Sequence, residues 1–367
     1  MSDFTVRPVN FIHRLFNSSF YSQRHTSIMV IKIHEGESLY MKGNKRIKPD
    51  DFAAAFLNKQ PKVVYRQFID DLKGVITLDK FEKMVITFNQ DIHQFYLKHI
   101  SHLGAHRHYL WVDDKRKKAL SVYFGEDDMI HMLTMKPFVE FQDYGKSVSD
   151  VSYTMPVTEE WLVFWGGDNE FINYHYVYGS QRYAYDLLMM KDGVTHTGDP
   201  SDNKNYYAFD KEIIAPAGGK VVKVVNKIRD NTPGEMNEKR PSGNHVIIQH
   251  GPQEYSFIAH FKKESITVEE GDIVQQGDVI GRCGNSGNSS EPHIHFQVMD
   301  KARVVRAKSF RIRFADGSTP VQGDIAKPTL DPDRKRFTPD LLHAEKKDDD
   351  RSIMEALSDS VGRWFRR

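Results

Sequence analysis

Apolar residues follow a helical period in the first part of the chain and a strand period after it. The positions that share one helical face are Phe52, Phe56, Val64, Phe68 and Leu72. A further helix is predicted over TLDKFEKMVITF, with Thr77 or Asp79 as its N-cap. Alternating runs then predict strands in HRHYLWVD, KALSVYFGED and DMIHMLTMKPF. Two or three helices followed by a strand meander predict a small α+β domain over residues 46–138.

The remaining chain divides by composition. Residues 139–157 are polar and rich in turn formers, which predicts a linker. Short β runs with glycine turns recur over residues 158–327, among them EIIAPAGGKVVKVVN, GNHVIIQHG and EYSFIAHF. They predict an all-β domain of antiparallel sheets. Residues 1–45 show no clear period and are predicted as an N-terminal arm, and residues 328–367 begin as a charged linker.

The final run, SIMEALSDSVGRWFRR, predicts an amphipathic C-terminal helix. Its apolar stripe consists of Ile353, Leu357, Val361, Trp364 and Phe365. Docking of this stripe onto the protein itself is the favoured interpretation. The alternative is peripheral contact with a membrane or wall polymer through the three arginines of the segment.

Composition narrows the classes of site and partner. The formal net charge is +1, so no overall field attracts nucleic acid, and no nucleic-acid partner is expected. The only cysteine is Cys283, which excludes an intrachain disulfide and a cysteine-based zinc site. No run approaches the roughly 20 apolar residues of a membrane helix, so no transmembrane segment is expected. The oligomeric state is left open.

Two histidines in PHIHFQV carry the clearest chemical signal. Residues i and i+2 of a strand lie on one face roughly 7 Å apart, so His293 and His295 can share a metal or a proton. His260 ends another predicted strand, which a hairpin arrangement would bring alongside. Asp186 lies in the apolar run YAYDLLMM, where a carboxylate is costly to bury unless it is paired or binds a metal. An ion pair with Arg182 is the structural alternative for this carboxylate.

Four other histidines, in the first domain, are close together in sequence. They are His99, His102, His106 and His108. No carboxylate joins them at ligand spacing, so they are not predicted to bind a metal.

The run IAHF…VEEGDIVQQGDVIGRCGNSGNSSEPHIHFQV resembles the core of the lysostaphin/LytM-type zinc endopeptidases, which cut peptidoglycan cross-links. An Ala-His-Leu-like strand, a glycine-rich hairpin ending in GNSG and a closing His-x-His occur in the family's order. The resemblance covers roughly residues 160–300 and implies a duplicated hybrid motif of antiparallel sheets. Residues 46–138 are similar in pattern to small cone-shaped domains, like nuclear transport factor two, that precede peptidase domains in some bacterial cell-wall proteins.

The resemblance also implies a zinc site and a pair of proton-handling histidines. By position, Asp186 and His295 are zinc ligands. His260 and His293 orient or deprotonate the attacking water and support the oxyanion. A catalytic zinc needs three protein ligands and an open position for water, so one more ligand is required.

The third ligand departs from the family pattern. The family presents it as His-x-x-x-Asp, whereas Arg182 stands four residues before Asp186. Some relatives carry Gln-Arg-Tyr-Ala-Tyr-Asp with a histidine further upstream, which here is His175 in NEFINYHYVYGSQRYAYD. His175 is therefore predicted as the third zinc ligand. The alternatives left open are His196, His245 and His250.

The predicted function is that of a zinc-dependent endopeptidase that hydrolyses peptide cross-links or stems of peptidoglycan. The alternative is a degenerate, non-catalytic LytM-like domain that binds or activates cell-wall hydrolases, and Arg182 is the reason to consider it. Tyr174, Tyr176 and Asn173 are candidates for the substrate groove. The implied substrate lies outside the cytoplasm, yet the N-terminal run lacks the continuous apolar segment of a secretory signal. Bond specificity and export route are not predicted.

Overall fold

A computed structural model describes residues 46–58, 60–142, 147–330 and 336–342. The first domain opens with four short helices: α1 (Pro49–Leu57), α2 (Pro61–Arg66), α3 (Asp70–Val75) and α4 (Leu78–Phe88). A four-stranded antiparallel sheet follows: β1 (Phe95–Leu103), β2 (His106–Asp113), β3 (Lys118–Phe124) and β4 (Ile130–Pro137). Helices packed on an antiparallel sheet form the predicted α+β domain.

The helical face predicted from the sequence is the face that packs on the sheet. Its residues Phe52, Phe56, Val64, Phe68 and Leu72 are all buried, although they are divided among separate helices. Pro61 occupies the first turn of α2, where a missing amide proton is tolerated, and so separates α2 from α1. The Thr77 hydroxyl accepts a hydrogen bond from the Lys80 amide and caps α4.

The sheet of the first domain is apolar on both faces. On one face Trp111, Leu120 and Val122 pack against the helices. The other face carries Leu110, Ala119 and Tyr123, which pack against residues of the second domain. A strand that is apolar on both faces needs cover on both sides, and the second domain supplies the second cover.

The second domain is built from twelve short strands. They are β5 (Val148–Tyr153), β6 (Trp161–Trp165), β7 (Tyr185–Leu188), β8 (Glu212–Ile214), β9 (Gly219–Val225), β10 (Asn244–Gly251), β11 (Glu254–Phe261), β12 (Ile273–Val274), β13 (Val279–Arg282), β14 (Ile294–Met299), β15 (Ser309–Phe314) and β16 (Ile325–Ala326). The main sheet has the order β12-β9-β10-β11-β14-β7-β6-β16, and β8 pairs with β13 in a small second sheet. All these pairs are antiparallel, as predicted.

Alternation along the central strands separates the core from the face that carries polar chemistry. On β14, Ile294, Phe296 and Val298 enter the main core, which leaves His295 and Gln297 on the opposite face. On β7, Tyr185 and Leu187 enter the same core. Asp186 is therefore on the face of His295, its registered partner on the neighbouring strand.

Part of the predicted linker, residues 139–157, belongs to the sheet structure of the second domain. It contains β5, which pairs in parallel with β15 of the second domain. Glu254 accepts hydrogen bonds from the amides of Asp150 and Val151 and from the hydroxyl of the fully buried Tyr153. The turn-forming residues of this segment concealed a strand whose partners lie far away in sequence.

Two predicted segments, the arm over residues 1–45 and the C-terminal helix after Ser352, lie outside the described residues. Among the residues that are described, no helix combines the length and apolarity needed to span a bilayer. Three of the four clustered histidines of the first domain, His99, His106 and His108, take part in packing and hydrogen bonding, whereas His102 is exposed. His108, for example, is completely buried and stacks on Tyr123 at 4.1 Å.

The contact between the domains is organised around Gln322, which precedes β16. Its side-chain oxygen accepts from His108 Nδ1 at 2.7 Å and from Ser101 Oγ at 3.1 Å, and its amide nitrogen donates to the Phe164 carbonyl. Next to it, a Cβ on Gly323 would lie 2.5 Å from the Ser101 Cβ, so this close approach requires glycine. A single glutamine therefore joins β1, β2 and β6.

We expect Gln322→Ala to destabilise the protein by about 1–3 kcal/mol, because it leaves the buried His108 ring and Phe164 carbonyl without their partner. Chemical denaturation with the exposed Gln90→Ala variant as control measures the difference. Equal stability of the two variants would contradict this role for Gln322.

Candidate metal centre

Three of the predicted site residues converge on one point. Asp186 and His295 face each other across β7 and β14, and His175 enters from a 3-10 turn, Tyr174–Val177, in the loop between β6 and β7. One ligand atom from each of the three lies within 4.8 Å of the others. Within the described part of the chain, this is the only group of three or more such side chains with metal-binding spacing.

The ring of His175 is oriented by Asn173. The Asn173 side-chain oxygen accepts from both the backbone amide and Nδ1 of His175, at 3.1 and 3.0 Å. Its amide nitrogen donates to the carbonyls of Gly167 and Ala184, at the two ends of the loop. With its proton on Nδ1, His175 presents the lone pair of Nε2, which lies 3.5 Å from an Asp186 oxygen.

The ring of His295 is oriented by Gln297. The Gln297 amide nitrogen donates to the Ser180 carbonyl at 2.8 Å, which leaves its oxygen to accept from Nε2 of His295 at 2.9 Å. The proton of His295 is therefore on Nε2, and Nδ1 lies 3.0 Å from an Asp186 oxygen. Two acceptor atoms at this distance require a proton or a cation between them.

The charge at the centre is negative and buried. Asp186 is 5% exposed. Burial alone would raise the pKa of its carboxyl, but the neighbouring rings of His175, His295 and His293 outweigh burial and bring the pKa below its ordinary value. Burial lowers the pKa of His175 to about 3, so that ring is neutral at neutral pH.

This set of atoms fits a divalent metal. His175 Nε2 is buried and has no hydrogen-bond partner among the described residues. An ionised carboxylate flanked by two imidazole lone pairs is a set of nitrogen and oxygen ligands that suits Zn²⁺. A bound cation would also compensate the buried negative charge.

The two predicted proton-handling histidines lie beside this group. His260, at the end of β11, donates from Nδ1 to the Ser286 carbonyl at 2.7 Å. His293, just before β14, donates from Nδ1 to the Glu291 carbonyl at 2.9 Å. Each ring thus keeps a lone pair on Nε2. The two rings are 4.7 Å apart, and His293 Nε2 is 4.0 Å from an Asp186 oxygen.

His260 has an unusual backbone conformation, with φ of 72° in the left-handed region. For a residue other than glycine this conformation is strained and needs support from its surroundings. The support comes from the GNSG turn, where the Gly284 amide donates to the His260 carbonyl at 3.0 Å and the Ser286 carbonyl holds the ring. Burial, followed by the neighbouring His293 and His295, lowers the pKa of His260 well below its usual value.

Arg182 is directed away from the centre. Its Nε donates to the Tyr176 carbonyl at 3.0 Å, and its guanidinium lies 4.1 Å from the centre of the Phe141 ring. The structural alternative of an ion pair with Asp186 therefore does not describe this arginine. Arg182 instead stabilises the loop that carries His175.

The alternative third ligands lie elsewhere. Both ring nitrogens of His250 have other partners, Gly218 and Ser256. His245 bonds the Gly243 carbonyl through Nδ1, and His196 packs on Tyr206.

Of the predicted groove residues, only Tyr174 is accessible. Tyr176 and Asn173 are buried, whereas Tyr174 is 39% exposed and lies near the Asp186 carboxylate. Desolvation of the hydroxyl and the nearby Asp186 carboxylate raise the pKa of Tyr174.

Sequence reasoning did not anticipate the supporting roles of Asn173 and Gln297. The signal for Gln297 was available, because it follows His295 by two residues and so shares its strand face. Asn173 gave no comparable signal, since it bonds His175 from an irregular loop, and its other partners are backbone carbonyls.

Comparisons with known proteins agree with the family predicted from the sequence. Residues 206–307 match the model of Peptidase family M23. An uncharacterized metalloprotease of Buchnera aphidicola is 38% identical over 72 residues, which are 20% of this chain and 19% of that protein. Peptidoglycan DD-endopeptidase ShyA of Vibrio cholerae is 36% identical over 74 residues, 20% of this chain and 17% of that protein. The chain thus aligns with less than a fifth of each relative.

Among solved structures, the catalytic domain of lysostaphin from Staphylococcus simulans is 18% identical, covers 41% of this chain and 88% of that chain, and has a TM-score of 0.25. For the segment 206–307, the family match and the curated relatives confirm the predicted resemblance to LytM-type peptidases. His260, His293 and His295 lie inside the matched segment, whereas His175 and Asp186 precede it.

We expect Gln297→Leu to weaken zinc binding by roughly 10- to 100-fold, because His295 loses the acceptor that keeps its proton off Nδ1. Competition with a chromophoric chelator measures the affinity. Gln249→Leu, on β10 of the same sheet and separated from β14 by β11, is the matched control. A Gln297→Leu protein that binds zinc as tightly as this control would show that the tautomer is set in another way.

Proposed function

We propose that this chain, which carries a domain of peptidase family M23, is a zinc-dependent endopeptidase that hydrolyses peptide cross-links or stems of bacterial peptidoglycan. The observation that carries the proposal is the convergence of His175, Asp186 and His295 within 4.8 Å, with the buried Nε2 of His175 directed at the carboxylate. These three residues would be the zinc ligands.

Zinc bound by these ligands would polarise the scissile carbonyl and lower the pKa of a water molecule. The chain's own contribution comes from His260 and His293. Because both give their Nδ1 protons to carbonyls, each has a free Nε2 that can accept a proton from the attacking water. Once protonated, the same rings can donate to the developing oxyanion or to the leaving amine.

The substrate class follows from the relatives and from the mouth of the site. A matched relative is named as a peptidoglycan DD-endopeptidase, which supports a peptide of the bacterial wall as substrate. Tyr174 is well placed to contact that peptide, since its ring packs on His175 at 3.9 Å and is partly exposed. Its hydroxyl could donate to a substrate carbonyl near Asp186.

Zinc content tests the assignment of ligands. We expect one zinc per purified wild-type chain, and loss of it in His175→Ala, Asp186→Ala and His295→Ala, because each removes one of three ligands. His260→Ala and His293→Ala should retain zinc. Elemental analysis measures the content, and the exposed His102→Ala is the control. Unchanged zinc in His175→Ala would remove that residue from the ligand set.

Hydrolysis tests the roles of the other two histidines. With zinc bound, His260→Ala and His293→Ala should release peptides from purified sacculi roughly 10²- to 10⁴-fold more slowly than wild type, the range typical of general acid–base groups. Chromatography with mass detection measures the products and identifies the bond that is cut.

The same two measurements separate the enzyme from a non-catalytic binding or activator protein. Wild-type protein that holds no stoichiometric zinc and releases no peptides from sacculi would favour the binding protein. Arg182 gives that alternative little support, since it stabilises the loop that presents His175.

A further inference from the structure

The least expected part of the centre is the loop over residues 166–184, which leaves the sheet after β6 and returns at β7. A ligand placed on such a loop is held only as firmly as the loop itself. Ordering loop residues costs conformational entropy, on the order of 1–2 kcal/mol for each backbone unit. Contacts that hold the loop are therefore part of the metal site.

The first domain supplies contacts just before His175. Lys136, at the end of β4, lies 2.5 Å from the carboxylate of Glu170, and the two side chains are each 13% exposed. Its ammonium group is also 4.7 Å from the centre of the Phe171 ring. The Phe138 ring also stacks on the Phe171 ring, with 6.2 Å between the ring centres. Ile172 completes an apolar cluster shared with β2 and β3.

A second set of contacts lies just after His175. The Phe141 amide donates to the Tyr176 hydroxyl at 3.0 Å, and the Phe141 ring lies beneath Arg182. The ligand is thus flanked by residues that pack on the first domain or on the chain immediately after it. Asn173 lies between the two sets and bonds His175 itself.

We propose that the first domain, together with the segment directly after it, is a positioning element of the metal centre: Lys136, Phe138 and Phe141 hold the 166–184 loop so that His175 reaches the metal, and zinc affinity depends on this docking. The inference rests on the metal centre of the proposed function. Lys136 is a positioning residue, since it acts on His175 through Glu170 and Phe171 without touching the centre.

Exchange of the charges in the Lys136–Glu170 pair tests the inference. Lys136→Glu and Glu170→Lys each place like charges together at a largely buried contact, and each should weaken zinc binding about tenfold or more. The double variant Lys136→Glu/Glu170→Lys restores an ion pair and should recover most of the affinity. Affinity is measured on the full chain by chelator competition.

Lys118→Glu is the matched control. Lys118 also lies over an aromatic ring, Phe88 at 5.6 Å, and bonds backbone carbonyls of the first domain, but on the side away from the loop. Its loss should leave zinc affinity unchanged. If a charge variant fails to fold, Lys136→Met keeps the aliphatic stem over Phe171, removes only the charge, and should still weaken zinc binding.

Two further readouts distinguish positioning from general stability. Hydrogen exchange of the 166–184 amides should accelerate in Lys136→Met and stay unchanged in Lys118→Glu. At saturating zinc the hydrolytic rate of Lys136→Met should return to that of the wild type, since every ligand and both proton-handling histidines remain.

The possible failures are distinct. If wild type binds zinc and His175→Ala loses it, but the Lys136 and Glu170 variants bind as tightly as wild type, this inference is overturned and the proposed function stands. If wild-type protein binds no zinc, the proposed function falls and the inference falls with it.

Discussion

The ionised carboxylate of Asp186 is buried within a β-sheet, and the groups around it are arranged to compensate its charge. A charge in that position is tolerable only if a cation or proton compensates it, because the interior cannot replace the water that it has lost. His175 and His295 each turn a ring nitrogen toward it. The amide side chains of Asn173 and Gln297 fix the protons of those rings on the far nitrogens. The arrangement is thus prepared for a metal by side chains that never touch one.

The same constraint links the first domain to the metal centre through the loop that carries His175. Its sheet carries apolar residues on both faces and so cannot stand alone with only its helices. The second domain covers the open face partly with the loop that presents His175. Phe171 and Ile172 therefore have two roles. They bury apolar surface between the domains, and they anchor the loop that presents His175.

Much of this could be predicted from the sequence, because the strands that carry Asp186, His260 and His295 obey a simple alternation. Antiparallel pairing of β11, β14 and β7 then places these residues close together. Strand β1 was not predicted, since its apolar residues Tyr96 and Leu97 remain exposed and its pattern resembled the preceding helices. Strand β5 was hidden by turn-forming residues. The orientation of Arg182 could not be predicted, because it depends on Phe141, a residue that lies far from it in the sequence.

A metal site requires ligand lone pairs at suitable positions in space, and the order of the ligand residues in the sequence does not matter. In the family pattern the first histidine stands four residues before the aspartate. Here a loop supplies it, and the cost of ordering that loop is offset by Asn173, by Arg182 and by the first domain. Linkage makes this coupling reciprocal: if docking strengthens zinc binding, then zinc strengthens docking by the same free energy. Any ligand or substitution that separates the domains must therefore act on the metal centre, although it lies outside the centre.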